Sequence, residues 1–133
     1  NRISGTQFYA CKADGFLHWG FNFYNAARSV RKIDPFAVTD AGMKFVSGDS
    51  FLVYPAPKFE VYSSIRLEVF RQGIDDMRAL QLCESLYGRE TVESILAEVN
   101  GGKPIALREI PEDKSFTLKM RKKINKMIER AIK

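Results

Sequence analysis

Helical periodicity dominates the hydrophobic pattern of the second half of the chain. Large apolar residues recur at helical spacing over Ser63–Tyr87, with a serine at its start as the N-cap and Gly88 as the residue that stops it. Residues 90–99 place apolar side chains at i, i+3, i+4 and i+7, and a last helix follows the cap residue Ser115. A short helix is predicted over residues 2–12, which brings the number of predicted helices to four.

The first half of the chain contains apolar runs without helical spacing. Residues 16–24 are rich in aromatic side chains and predict a strand that is buried on both faces. Gly20, inside this run, predicts the close approach of another backbone or a ligand. Residues 50–57 predict a second strand or an extended rim segment, and residues 25–50 a long irregular connection. Two strands alone are marginally stable, so we expect residues 16–24 to belong to a larger parallel sheet and the chain to be part of a longer protein.

Composition describes an ordinary globular chain with an uneven charge. The 133 residues are 45% apolar and 28% charged, with a net charge of +5. Residues 114–133 hold six Lys, two Arg and one Glu, a net +7, which leaves −2 for the rest of the chain. The last helix is therefore either a solvated basic face or the binding site of an acidic partner. Nucleic-acid binding is disfavoured because Phe116 is the one aromatic residue of this last helix. A membrane span is not expected either, because no apolar run approaches the roughly 20 residues that it needs.

The sequence favours no metal, cofactor or catalytic site. Cys11 and Cys83 lack CxxC spacing, His18 is the one histidine, and Walker, GxGxxG, GxSxG and HExxH motifs are absent. Both cysteines are predicted to be buried free thiols. Asp75 and Asp76 are adjacent on a helix, where neighbouring side chains point about 100° apart and cannot converge on one substrate atom. We therefore predict that Asp75 pairs with Arg71, four residues before it, and that Asp76 pairs with a group beyond the helix.

An aromatic run offers a candidate carbohydrate site. Trp19 supplies an aromatic face for the apolar side of a sugar ring, and Asn22 and Tyr24 supply polar groups for its hydroxyls. Tyr54, in the segment GDSFLVYPAP, is a candidate rim residue. The alternative is that the aromatic residues of this run are simply core, and spacing alone leaves both interpretations open.

Four segments together resemble a known family. They are ADGFLHWGFNFYN, Asp34-Pro35, GDSFLVYPAP and SSIRLEVFRQGIDDMRALQLCE. In order and spacing they resemble the C-terminal part of the catalytic region of glycoside hydrolase family 123, whose members are similar to bacterial β-N-acetylgalactosaminidases. The run S-I-R-L-E followed by R-x-G-I-x-D is the most specific part. We therefore predict that residues 1–88 are a segment of this region and residues 89–133 a C-terminal helical extension.

The resemblance implies a helix-rich α/β fold that is the C-terminal fragment of a (β/α)8 TIM-like barrel, plus two further helices. Phe16–Tyr24 would be the last strand and Ser64–Tyr87 the closing helix. Active sites of such barrels lie at the C-terminal ends of the strands, which would bring Trp19, Asn22 and Tyr24 near the sugar. The implied reaction is substrate-assisted hydrolysis of N-acetylhexosaminides. In it the acetamido oxygen attacks the anomeric carbon, while an adjacent Asp-Glu pair orients that group and protonates the leaving group.

The chain departs from this pattern because it contains no Asp-Glu dipeptide. Glu112-Asp113 has the reverse order and lies in a predicted loop. We therefore expect no catalytic residue in the chain, which would be inactive alone and would contribute part of a sugar-binding wall to the remainder of the barrel. Two alternatives remain: a parent that binds glycans without hydrolysing them, and an α-rich module whose basic last helix binds an acidic partner. Uncovered apolar surface also predicts self-association of the isolated chain.

Overall fold

The structure, a computed structural model, describes residues 2–133 and contains four helices and one two-stranded antiparallel sheet within them. In chain order the elements are α1 (Ile3–Ala10), β1 (Val53–Pro55), β2 (Val61–Ser63), α2 (Ile65–Tyr87), α3 (Arg89–Val99) and α4 (Phe116–Ile132). Two short 3-10 turns occupy Ala27–Ser29 and Pro57–Phe59. Tyr54 pairs with Tyr62 at the centre of the sheet. The predicted helix-rich α/β class is confirmed, whereas a barrel is not established by these elements.

The chain divides into two compact units, one formed by residues 1–14 with 70–133 and the other by residues 15–69. The first unit is helical and holds the larger core. Its buried members come from α1, α2, α3 and α4: Tyr9, Ala79, Leu80, Cys83, Val92, Leu96, Phe116, Met120 and Ile124. The apolar stripes that predicted the last two helices therefore face a common core, as amphipathic helices do. No helix in the described part of the chain is long and apolar enough to cross a membrane.

α1 crosses α2 at a pair of glycines. A Cβ atom on Gly73 would lie 2.6 Å from the carbonyl oxygen of Arg2, and one on Gly5 would collide with the backbone of Gly73. A glycine in a helix interior costs roughly 1 kcal/mol relative to alanine. The close backbone approach explains why α2 carries this residue.

The ends of α2 follow their predicted signals. The hydroxyl oxygen of Ser64 accepts the N–H of Leu67 at 3.3 Å, which is the geometry of an N-cap. The same hydroxyl donates to the carbonyl of Leu52 at 2.6 Å and so ties the start of the helix to the segment that leads into β1. At the other end the helix stops before Gly88, whose φ is 82°.

The predicted strand over residues 16–24 is wrong. This segment is irregular, and Asn22 forms an isolated antiparallel bridge with Phe51. Leu17 is 89% exposed, so the segment is not buried on both faces. A strand needs a continuous backbone partner along its length, whereas here Phe21 and Phe23 bond to the segment around Phe51 and Tyr24 bonds to Ile33. The second strand prediction, over residues 50–57, is confirmed in part by β1.

The two cysteines differ. Cys83 is buried in the helical core as predicted, and burial raises the pKa of its thiol. Cys11 is exposed, which corrects the prediction for this residue. It follows the last residue of α1, where the chain leaves the helix and the core.

Candidate functional site

Two backbone segments of the unit 15–69 lie side by side and carry the candidate residues. The N–H of Phe23 donates to the carbonyl of Ser50 at 3.0 Å, and the N–H of Leu52 donates to the carbonyl of Phe21 at 2.8 Å. A Cβ atom on Gly20 would lie 2.7 Å from the same Ser50 carbonyl oxygen. The close backbone approach predicted at Gly20 is thus confirmed.

Trp19 is anchored at one edge and open at the other. Its indole Nε1 donates to Oδ2 of Asp49 at 3.1 Å. The ring lies 4.9 Å from the ring of Phe45 and 5.5 Å from that of Phe23, measured between centroids. Trp19 and Phe21 are both 49% exposed. The alternative that this aromatic run is simply core is therefore wrong for these two side chains.

Tyr24 and Tyr54 meet on one buried ring. Their ring centroids lie 5.8 Å and 5.2 Å from that of Phe51, which is fully buried. The hydroxyl of Tyr24 donates to the carbonyl of Val53 at 2.9 Å, and burial raises the pKa of this phenol. Tyr54 stacks on Phe36 with a centroid distance of 5.1 Å and an interplanar angle of 25°. Both tyrosines are thus held in place by aromatic neighbours.

Asn22, the fourth predicted residue, is exposed and joins the site through its backbone bridge to Phe51. The four residues therefore fall into two groups. Tyr24 and Tyr54 share Phe51, while Trp19 belongs to an aromatic group with Phe23 and Phe45. The segment 49–54 connects the groups, because it supplies the carboxylate that binds the indole as well as the ring of Phe51.

Sequence reasoning missed Arg66, in the first turn of α2. Its Nε and one terminal nitrogen both donate to the carbonyl of Phe51, at 3.2 Å and 3.1 Å. Its guanidinium carbon lies 5.1 Å from the ring centroid of Phe51 and 5.6 Å from that of Tyr54, within the range of cation–π contacts. The signal that could have found it is its place within the S-I-R-L-E run, the most specific part of the resemblance.

The acid pair of α2 is structural. Asp76 is 1% exposed, and its carboxylate accepts from Arg2 at 2.7 Å and 3.1 Å and from Arg121 at 3.2 Å. Asp75 is exposed and pairs with Arg78 at 3.4 Å. The predicted pairing of Asp76 with groups beyond the helix is confirmed, and the ion pair that the structure gives for Asp75 is with Arg78.

The candidate residues form an open surface. Cavities of about 430 Å³ and 510 Å³ lie in the first unit, one beside the end of α3 and one beside α1, and none of the four candidates lines them. Residues 2–133 bring together no cluster of three or more His, Cys, Asp or Glu side chains that could hold a metal ion. What the surface offers is exposed aromatic rings with amide, phenol and carboxylate groups beside them, a set that suits a polyhydroxylated ligand.

Comparison with known families gives one match. Residues 1–83 match the family described as glycoside hydrolase 123, catalytic domain. The match covers more than half of the chain and includes the whole unit 15–69. The search of curated proteins found no match. The predicted family resemblance is thus confirmed.

Proposed function

Because the chain belongs to the glycoside hydrolase 123 catalytic-domain family, we propose that it forms part of the sugar-binding wall of a glycoside hydrolase acting on N-acetylhexosaminides. Trp19 packs against the apolar face of the sugar ring. Asn22, Tyr24 and Tyr54 contact its polar groups. The observation that carries the proposal is the indole of Trp19, which is half-exposed and yet held by a hydrogen bond to Asp49 and by the rings of Phe23 and Phe45.

The anchoring of Trp19 supports this role. The bond from its Nε1 to Asp49 fixes one edge of the indole, and the rings of Phe23 and Phe45 restrain its plane. An aromatic face that is already held in one orientation loses little conformational entropy when a ligand stacks on it. Such pre-organisation is typical of binding surfaces.

In the proposed reaction the chemistry is substrate-assisted, and the acid pair that it needs lies outside this chain. No aspartate in the 133 residues is followed directly by glutamate, and the buried carboxylate of Asp76 is occupied by two arginines. The chain therefore binds and orients substrate, while the rest of a (β/α)8 barrel supplies the catalytic pair. In this proposal α2 closes the barrel.

Hydrolysis of chromogenic substrates tests the proposal. The full-length protein that carries this chain is expected to hydrolyse a nitrophenyl N-acetylhexosaminide, and the 133-residue chain alone is expected to be inactive. The matched substrate is the same hexoside with a 2-hydroxyl group, which lacks the attacking acetamido oxygen and should react far more slowly. Equal rates on the two substrates would refute the substrate-assisted mechanism. Sugar binding without hydrolysis of either would identify a glycan-binding protein instead.

A second candidate function rests on the outer face of α4. Lys122, Lys126, Arg130 and Lys133 are exposed and form no ion pair within residues 2–133. This helix lies outside the residues that match the family. Salt-sensitive retention of the chain on DNA or on anionic vesicles, abolished by changing these residues to glutamine, would support binding of an acidic partner. Absence of retention at low salt would dismiss it.

A further inference from the structure

We propose that Arg66 is the positioning residue of the sugar-binding wall. This inference rests on the proposed function and assigns Arg66 the task of holding the segment 48–54, which carries one candidate residue and anchors another. Arg66 does not itself need to touch the sugar.

The contacts of Arg66 are specific to a guanidinium group. Two of its nitrogens donate to one acceptor, the carbonyl of Phe51, at 3.2 Å and 3.1 Å. Its planar group also lies beside the rings of Phe51 and Tyr54. A lysine keeps the charge but has neither the planar group nor the fork of N–H donors, so it cannot reproduce both contacts.

Gly48 shows how closely the arginine is packed. A Cβ atom on Gly48 would lie 2.8 Å from the guanidinium carbon and from Nε of Arg66. The φ of Gly48 is 80°, a backbone conformation that side chains other than glycine rarely adopt. The arginine therefore contacts the start of the segment at Gly48 as well as its end at Tyr54.

Arg66 acts from a rigid base. It lies in the first turn of α2, and the Ser64 cap fixes that turn by its bonds to the N–H of Leu67 and the carbonyl of Leu52. Binding groups supported by helices are held more firmly than groups supported by loops alone. Arg66 thus ties the segment 48–54 to the capped first turn of α2.

The segment that Arg66 holds determines the position of Trp19. Asp49 follows Gly48 directly, and its carboxylate binds the indole of Trp19 at 3.1 Å. Displacing Gly48 and Phe51 therefore moves both the anchor of Trp19 and the ring of Tyr54. The two aromatic groups of the site depend on one arginine.

The experiment uses Trp19 as a reporter, because it is the only tryptophan of the chain. Arg66→Ala and Arg66→Lys are expected to shift its fluorescence emission to the red and to increase its quenching by acrylamide. Arg78→Ala, an exposed arginine of the same helix, is the matched control and should change neither quantity. Circular dichroism establishes which variants are folded.

The expected and contrary results are distinct. Red-shifted emission in folded Arg66→Ala or Arg66→Lys supports the proposal, and emission equal to that of the wild type in those variants overturns it. In the full-length protein, Arg66→Lys should raise KM by about tenfold, the effect of losing about 1.4 kcal/mol of binding. An emission shift with unchanged KM would overturn the claim that positioning by Arg66 contributes to substrate binding. If the wild-type protein hydrolyses no hexosaminide, the proposed function fails, while the emission result still decides whether Arg66 positions Trp19.

Discussion

Asp75 and Asp76 are adjacent in the chain and have identical side chains, but one is exposed and the other is buried. Successive residues of a helix point about 100° apart, so one faces the core when its neighbour faces water. Asp76 is 1% exposed and bound by Arg2 and Arg121, whereas Asp75 is exposed and contacts Arg78. The hydrogen bonds that Arg2 donates to Asp76, together with the coulombic attraction between the two groups, raise the pKa of the Arg2 guanidinium above its usual value. The buried group is therefore the one on which stability depends.

Replacing Asp76 is expected to be far more damaging than replacing Asp75. Asp76→Ala leaves two arginines beside the core without their shared carboxylate, and breaking a buried pair in this way costs about 3–5 kcal/mol. Asp75→Ala removes an exposed contact worth about 0–1 kcal/mol. Denaturant unfolding gives the free energy of each variant. Equal losses in the two variants would show that the buried cluster does not stabilise the fold.

At the scale of elements, sequence patterns predicted the helices, whose hydrogen bonds join residues close together in the chain. The helices α2, α3 and α4 follow from apolar spacing that lies within each element, although the side chain of Ser115, the predicted cap of α4, makes no capping bond. A strand over residues 16–24 was wrong because a strand depends on partners elsewhere in the chain. The contact of Arg66 with the Phe51 carbonyl was missed for the same reason, since it joins residues 15 apart and a carbonyl acceptor leaves no mark in the sequence. Trp19, Asn22, Tyr24 and Tyr54 were found from chemistry alone, and their role in binding sugar stays a prediction.

The start of α4 depends on one carboxylate. The carboxylate of Asp113 accepts a hydrogen bond from the ammonium group of Lys119 at 2.7 Å. It also accepts hydrogen bonds from the hydroxyl and the backbone N–H of Ser115, at 2.6 Å and 2.8 Å. The hydrogen bond from Lys119 is the largest of the effects that hold the pKa of the Asp113 carboxyl well below its usual 3.8, and the bonds from Ser115 add to it. The unfolded chain therefore binds a proton at a higher pH than the folded chain does.

This difference predicts an acid-sensitive contribution to stability. The contribution is present above the usual pKa of 3.8 and is lost as the pH falls from there through the lower folded-state value. Unfolding free energies at pH 5 and pH 2 should therefore differ less in Asp113→Asn than in the wild type. Glu112→Gln, whose carboxylate is highly exposed, is the control and should keep the wild-type difference. An Asp113→Asn variant with unchanged acid dependence would contradict the prediction.

At the scale of the whole molecule, the unit 15–69 exposes many large apolar side chains. They include Phe16, Leu17, Trp19, Phe21, Met43 and Val46. Exposed apolar surface of this kind marks interaction sites in folded proteins. In our proposal the remainder of a barrel covers part of it and a sugar covers Trp19.

The isolated chain is accordingly expected to self-associate through this surface. Sedimentation velocity at increasing protein concentration should show a rising average mass. Leu17→Glu, at a side chain that is 89% exposed, should lower that mass, whereas Ile132→Glu at the end of α4 should leave it unchanged. A strictly monomeric wild-type chain at high concentration would contradict the expectation.

The central claim is that Trp19 presents a carbohydrate-binding face, and kinetics of the full-length protein on a chromogenic N-acetylhexosaminide test it most directly. Trp19→Ala is expected to lower kcat/KM by more than about tenfold, because stacking on the indole is worth at least about 1.4 kcal/mol. Arg78→Ala, an exposed position that belongs to neither aromatic group of the site, should leave kcat/KM within about twofold of the wild type. A Trp19→Ala enzyme with wild-type kinetics would remove Trp19 from the site and contradict the account.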